Sequence, residues 1–112
     1  MEFDSNRAIY LQIADNFCEK ILSGELKPGD RIPSVREWGA EIGVNPNTVS
    51  RSYDELTGSG IIFLKRGIGC FVSGDARNII LEKQRKFFIE NELPKFEKKA
   101  ELLGINLKEI IK

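Results

Sequence analysis

A mostly helical α+β fold is predicted for this chain by three features of its sequence. Two capped helical stretches meet at a glycine turn in residues 33–53, a β-branched hairpin pattern occupies residues 61–72, and a helical tail follows a Ser-Gly-Asp break. At 112 residues the chain has room for one small domain and an appendage. The expected division is 1–74 and 75–112.

Residues 1–7 are polar and are expected to form a loose lead-in. Over residues 8–23, Ile9, Ile13, Phe17 and Ile21 recur at i+4. Tyr10, Ala14 and Cys18 widen that stripe, so an amphipathic core helix is predicted, ended by Gly24. Pro28-Gly29 marks a turn. Arg31 and Ile32 can form a short edge strand that Pro33 ends, because proline cannot donate to a ladder.

The stretch P-S-V-R-E-W-G-A-E-I-G-V-N-P-N-T-V-S-R-S-Y, residues 33–53, is the organising element. Ser34 and Glu37 have the spacing of a capping box, in which each side chain satisfies an orphan N–H at the helix start. Gly43 suits a left-handed turn residue after about Ile42. Asn45 can cap the next helix, with Pro46 at its first position, where a missing N–H costs nothing. Helix, glycine turn, helix is a helix-turn-helix, whose second helix enters a DNA major groove in proteins that read DNA. Val35, Trp38 and Ile42 share one face of the first helix, and Val49, Tyr53 and Leu56 one face of the second. Packed on the 8–23 helix, these faces predict a three-helix core. Asn47, Ser50, Arg51 and Asp54 lie on the opposite face, with Thr48 at its margin. Gly58 and Gly60 stop the helix.

Residues 61–72 read as two strands, I-I-F-L and C-F-V, joined by K-R-G-I-G. A hairpin after a helix-turn-helix is a wing, to which residues 31–33 can add a third strand. The glycines here are not a nucleotide loop, because a strand follows them. In the tail, Ile79, Ile80, Phe87 and Phe88 are expected on a helix ending near Pro94. Phe96, Ala100 and Leu103 fall on a second helix over 95–103, capped by Gly104. Asn106 and Glu109 start a last short helix holding Ile110 and Ile111. So short a tail cannot bury a core of its own. Its apolar positions Ile80, Phe87, Phe88, Phe96 and Leu103 are therefore expected to form the seam of a twofold homodimer.

Charge and composition narrow the function. The 17 basic and 17 acidic residues cancel, and residues 1–74 carry a net −2 against +2 in the tail. DNA attraction must come from local clustering of Arg36, Arg51, Lys65 and Arg66, with dimerisation adding the rest. There is no histidine, no phosphate loop and no evident carboxylate pair, so neither an enzyme nor a cofactor is expected. Two distant cysteines, Cys18 and Cys70, suggest buried apolar positions rather than a metal or disulfide framework. No apolar run has the length of a membrane span, and a cytoplasmic protein is expected. Neutral total charge also leaves open a winged helix used only for protein–protein contact.

Taken together, I-Y-L-Q-I (9–13), G-E-L-K-P-G-D-R-I-P-S-V-R-E (24–37), G-V-N-P-N-T-V-S-R-S-Y-D-E-L (43–56), G-I-I and G-I-G-C-F-V (67–72) resemble the DNA-binding domain of GntR-family bacterial transcription regulators. The resemblance covers about residues 8–73, in order and spacing. The tail, with L-P-K-F and A-E-L-L-G-I, is similar to the YtrA-type subgroup, whose members end in a small helical dimerisation region.

The resemblance implies that Arg36 of P-S-x-R contacts DNA. It implies that Asn45, Asn47, Thr48 and Arg51 contact bases and phosphates, with Ser50 on the same face. It also implies that the wing tip, Arg66 and Gly67, approaches the minor groove; Lys65, beside Arg66 in the Gly-rich connection, is expected to make a phosphate or minor-groove contact. The expected partner is a near-palindromic double-stranded operator with half-sites about one helical turn apart. The subgroup implies repression, with a transporter operon that includes its own gene as the expected target. An unidentified small-molecule effector between tail and wing domain stays open, though no residue cluster points to one. Trp38-Gly39 stands where the family commonly has Leu-Ala, and a mid-helix Gly39 costs on the order of 1 kcal/mol against alanine. Pro46 and Ser50 replace basic residues of some subgroups, and Cys70 stands where threonine is frequent.

Overall fold

The computed structural model describes residues 1–111. Its elements run α1 (Ile9–Leu22), β1 (Arg31–Ile32), α2 (Val35–Ile42), α3 (Pro46–Gly58), β2 (Ile62–Lys65), β3 (Gly69–Val72), α4 (Ala76–Phe87), a π-helical turn (Phe88–Glu92), α5 (Leu93–Leu102) and α6 (Leu107–Ile110). Two compact units divide the chain, Met1–Ile80 and Leu81–Lys112. The division falls within α4, so the start of the expected tail belongs to the first unit. Lys112, the last residue of that expected tail, lies outside the described residues.

In the first unit the core forms around Phe17 of α1. Its ring lies 5.3 Å from Trp38 of α2 and 5.6 Å from Tyr53 of α3. The i+4 stripe of α1 buries Ile13, Phe17 and Ile21, as its spacing predicts, whereas Ile9, its first member, is 43% exposed at the start of the helix. Val49 and Leu56 of α3 join them, and Val35 and Ile42 of α2 pack at the margin. Three antiparallel strands in the order β1-β3-β2 add Ile32, Ile62 and Val72. Two buried hydroxyls are satisfied by backbone. Ser52 Oγ donates to the Tyr10 carbonyl at 2.6 Å, and Tyr53 OH donates to the Pro33 carbonyl at 2.5 Å. Burial raises the Tyr53 phenol above its ordinary pKa, with Cys70 and Glu37 adding to the shift. Trp38 Nε1 is buried without a hydrogen-bond partner among the described residues, and the Lys20 ammonium lies 4.4 Å over its ring.

Three expectations are corrected here. The lead-in is pinned: Gln12 Oε1 accepts from the Asp4 amide at 2.7 Å, and its Nε2 donates to the Asp4 and Arg7 carbonyls at 2.6 and 2.8 Å. Arg7 also pairs with Asp15 at 2.9 Å. Ile80, expected on a dimer seam, is 1% exposed in the core of the first unit. With Ala76 it extends that core, because the first turns of α4 fold onto it. Finally, Pro94 does not separate two helices. Helical dihedral angles continue through Phe87 and Leu93, and the Leu93 amide donates to the Phe88 carbonyl, one residue further back than in an α-helix. Pro94 then occupies the first turn of α5. The wider turn just before it relieves the ladder where the proline N–H is missing.

In the second unit Gly104 takes φ +69 and Asn106 caps α6 by accepting from the Lys108 amide at 3.0 Å. Ala100 is buried, whereas Phe87, Phe88, Phe96 and Leu103 are 49–63% exposed.

Candidate nucleic-acid interface

The α2–α3 pair is built by local chemistry. The Glu37 amide donates to Ser34 Oγ at 3.1 Å and the Ser34 amide donates to Glu37 Oε1 at 3.2 Å, completing the expected capping box. Hydrogen bonding with Ser34 holds the Glu37 carboxyl below its usual range, and the nearby Arg31 charge adds to the effect. Gly43 takes φ +70 and its amide donates to the Gly39 carbonyl. A Cβ on Gly39 would stand 2.7 Å from the Val44 carbonyl oxygen. The residue that weakens α2 as a helix is thus the one that lets the turn close against it. Asn45 Oδ1 accepts from the Asn47 amide at 2.8 Å and caps α3.

This geometry brings Arg36, Asn45, Asn47 and Ser50 around one open concavity, with Val35 and Pro46 as its apolar floor. Arg36, Asn45 and Asn47 are exposed and Ser50 is half-buried. Thr48 is half-buried and is not among the residues lining it. Arg51 follows Ser50 on α3, one turn on from Asn47. It pairs with neither Asp54 nor Glu55 among the described residues, and its guanidinium lies 4.1 Å over the Tyr10 ring. A cation over the ring face is attracted by it without using its N–H donors, which stay available for a bidentate contact.

Lys65, the last residue of β2, and Arg66 and Gly67, on the turn to β3, are not among the residues lining that concavity. The Ile68 amide donates to the Lys65 carbonyl at 2.9 Å, and Gly67 takes φ +76 as the turn requires. Arg66 and Gly67 are exposed at its tip. Two further residues belong beside the site and were not singled out by sequence. Tyr10 lies forty-one positions from Arg51 and reads only as part of a core stripe. Arg31 reads only as an edge-strand residue, yet its side chain lies over Gly69 of the wing.

Among the described residues, no cluster of His, Cys, Asp and Glu could hold a metal ion, and no helix is long and apolar enough to cross a membrane. Burial pushes the Cys70 thiol up, away from the reactive thiolate form.

Comparison with known proteins gives the family and the fold. The model of the bacterial regulatory proteins of the gntR family matches residues 9–72. The transcriptional regulator YhcF of Bacillus subtilis is 37% identical over 110 residues, covering 98% of this chain and 89% of the relative. The transcriptional repressor YtrA of Bacillus subtilis is 39% identical over 106 residues, covering 95% and 81%. The crystal structure of a GntR-family transcriptional regulator from Bacteroides thetaiotaomicron superposes with a TM-score of 0.79 at 45% identity, covering 92% of this chain and 89% of that one.

Proposed function

The chain belongs to the GntR family of bacterial regulatory proteins and is a DNA-binding transcription regulator, not an enzyme, and from this we propose that it acts as a homodimeric repressor on a near-palindromic operator. The observation that carries the proposal is the convergence of Arg36, Asn45, Asn47 and Ser50 on one open concavity beside the stacked Arg51.

In this mechanism α3 enters the major groove with its N-terminal end forward. Asn47, Thr48, Ser50 and Arg51 face base edges and flanking phosphates. Asparagine pairs well with adenine and arginine with guanine, because each offers two matched hydrogen bonds. Asn45 spends its oxygen on the cap and keeps its amide nitrogen for DNA. Arg36 holds a phosphate from α2, and the turn of Lys65, Arg66 and Gly67 follows the minor groove. Phosphate contacts set the register and base contacts set the sequence.

Dimerisation is supported by the second unit, whose Phe87, Phe88, Phe96 and Leu103 stay exposed in a single chain. Large apolar side chains that one copy leaves in water gain most by meeting a second copy. Repression is supported by the name of the YtrA relative. A repressor of this kind works in the cytoplasm, and we propose an operator upstream of its own gene, within a transporter operon.

The test is a gel-shift titration of that upstream DNA at several salt concentrations, with excess unrelated DNA as competitor. Binding that survives competitor and weakens steeply with salt is expected. Binding abolished by competitor favours a protein-contact module, the alternative that a neutral chain admits.

A further inference from the structure

A second group of cations lies on the sheet, beside the wing turn. Side chains alternate along a strand, so register decides which residues share a face. Arg31 and Phe63 both stand opposite Phe71, and Lys65 stands opposite Gly69. These residues therefore share one face, while Ile32, Ile62 and Val72 of the other face are buried in the core. Phe63 and Phe71 stack with centroids 5.8 Å apart. The Lys65 ammonium lies 5.9 Å from the Phe71 centroid.

Arg31 reaches the same patch from the opposite edge. A Cβ built on Gly69 would stand 2.8 Å from Arg31 Nε and 3.5 Å from its Cζ, so the guanidinium lies across the glycine backbone. Gly69 also takes φ +142, a conformation that side-chain-bearing residues rarely adopt. Glycine is thus required there twice, once by the chain and once by the arginine. Arg31 and Lys65 are both exposed, and neither forms an ion pair among the described residues. Two like charges gathered on one apolar platform repel unless an anion joins them. The Glu37 carboxylate feels the Arg31 charge but accepts from the Ser34 amide and forms no ion pair with Arg31, so the guanidinium keeps donors for a DNA phosphate beside the wing turn.

We propose that Arg31 is a further DNA-contacting residue, which donates to a backbone phosphate beside the groove that the wing enters while Gly69 keeps the path of its guanidinium clear. The proposal rests on the DNA-binding mechanism above. A planar guanidinium can hold two phosphate oxygens at once. A contact of this kind strengthens binding and positions the wing without reading sequence.

The full chain is titrated with the operator and with an unrelated duplex over a range of salt. Arg31→Gln is expected to make the slope of log affinity against log salt shallower by about one per subunit, with equal loss on both duplexes. Arg31→Lys, which keeps the charge, should retain most of that slope. Gly69→Ala should shift the slope in the same direction as Arg31→Gln. The double variant Arg31→Gln/Gly69→Ala should bind no more weakly than the weaker single one.

An unchanged slope for Arg31→Gln overturns the proposal even if affinity falls, because a residue that only braces the wing releases no counterion. Fully additive losses in the double variant overturn the role of Gly69. Thermal melts identify any variant that fails to fold, and the Gln and Lys variants carry the test if Gly69→Ala does. A wild-type chain without salt-dependent DNA binding would instead overturn the DNA-binding mechanism itself.

Discussion

The Arg51 guanidinium lies 4.1 Å over the Tyr10 ring, so a residue of α1 anchors the single cation of α3. The same Tyr10 accepts from Ser52 Oγ through its carbonyl at 2.6 Å. Helix α3 is therefore held at two adjacent residues by one residue of α1. If Arg51 reads a base, Arg51→Ala weakens operator binding by about 1–3 kcal/mol and relaxes preference at one position. Tyr10→Leu keeps the carbonyl and the apolar contact but loses the stack. Its loss in operator titrations should be smaller and in the same direction, and Arg51→Ala should lower the melting temperature only slightly, because Ser52 still holds α3.

The Ser34–Glu37 box gives a pH-dependent stability of known sign. The folded carboxyl of Glu37 titrates below its ordinary 4.5. A lowered folded pKa contributes stability that is present above the unfolded value and lost as pH falls through the folded one. Glu37→Gln should thus melt lower than wild type at pH 7, and the gap should close on acidification below the ordinary value. Ser34→Ala, which removes the cap itself, should cost about 0.5–2 kcal/mol.

Two helical glycines should respond in opposite directions to the same substitution. Gly39→Ala brings a methyl group to 2.7 Å from the Val44 carbonyl, and the turn must shift to admit it. At Gly58, in the last turn of α3, nothing lies within 4 Å of an added Cβ. Gly58→Ala should raise stability by up to about 1 kcal/mol through helix propensity. Gly39→Ala should lower it, although propensity alone favours alanine there too. Denaturant melts of both variants decide.

Ile80 and Phe88 separate folding from assembly. Phe88→Glu or Phe96→Glu should give a folded monomer in sedimentation, because both side chains are exposed in the single chain. Ile80→Glu should instead unfold the first unit, by burying a charge where Ile80 is 1% exposed.

Much of this architecture can be read along the chain, because its signals are local. Ser34, Glu37, Gly43, Asn45 and Pro46 each act within one helical turn, and all take the predicted roles. The i+4 stripe of α1 and the Gly67 turn are equally local. What escaped depends on distant partners. Tyr10 under Arg51 and Arg31 over Gly69 pair residues far apart in sequence, and neither carries a local mark. Gly39 reads as a weak point in a helix until the Val44 carbonyl is seen against it. Ile80 fits an apolar stripe of the tail, and periodicity does not say which body a stripe packs on. Pro94 reads as a stop because proline ends most helices, whereas the π-helical turn before it lets the chain continue.

The central claim is that two copies of this chain read a symmetric DNA site through α3. Selection of bound duplexes from random DNA, with the solution mass of the complex measured on the winning sequence, tests it most directly. The predicted result is an enriched near-palindrome with half-sites about one helical turn apart, bound by two chains. No enriched sequence, or a single half-site held by one chain, contradicts it.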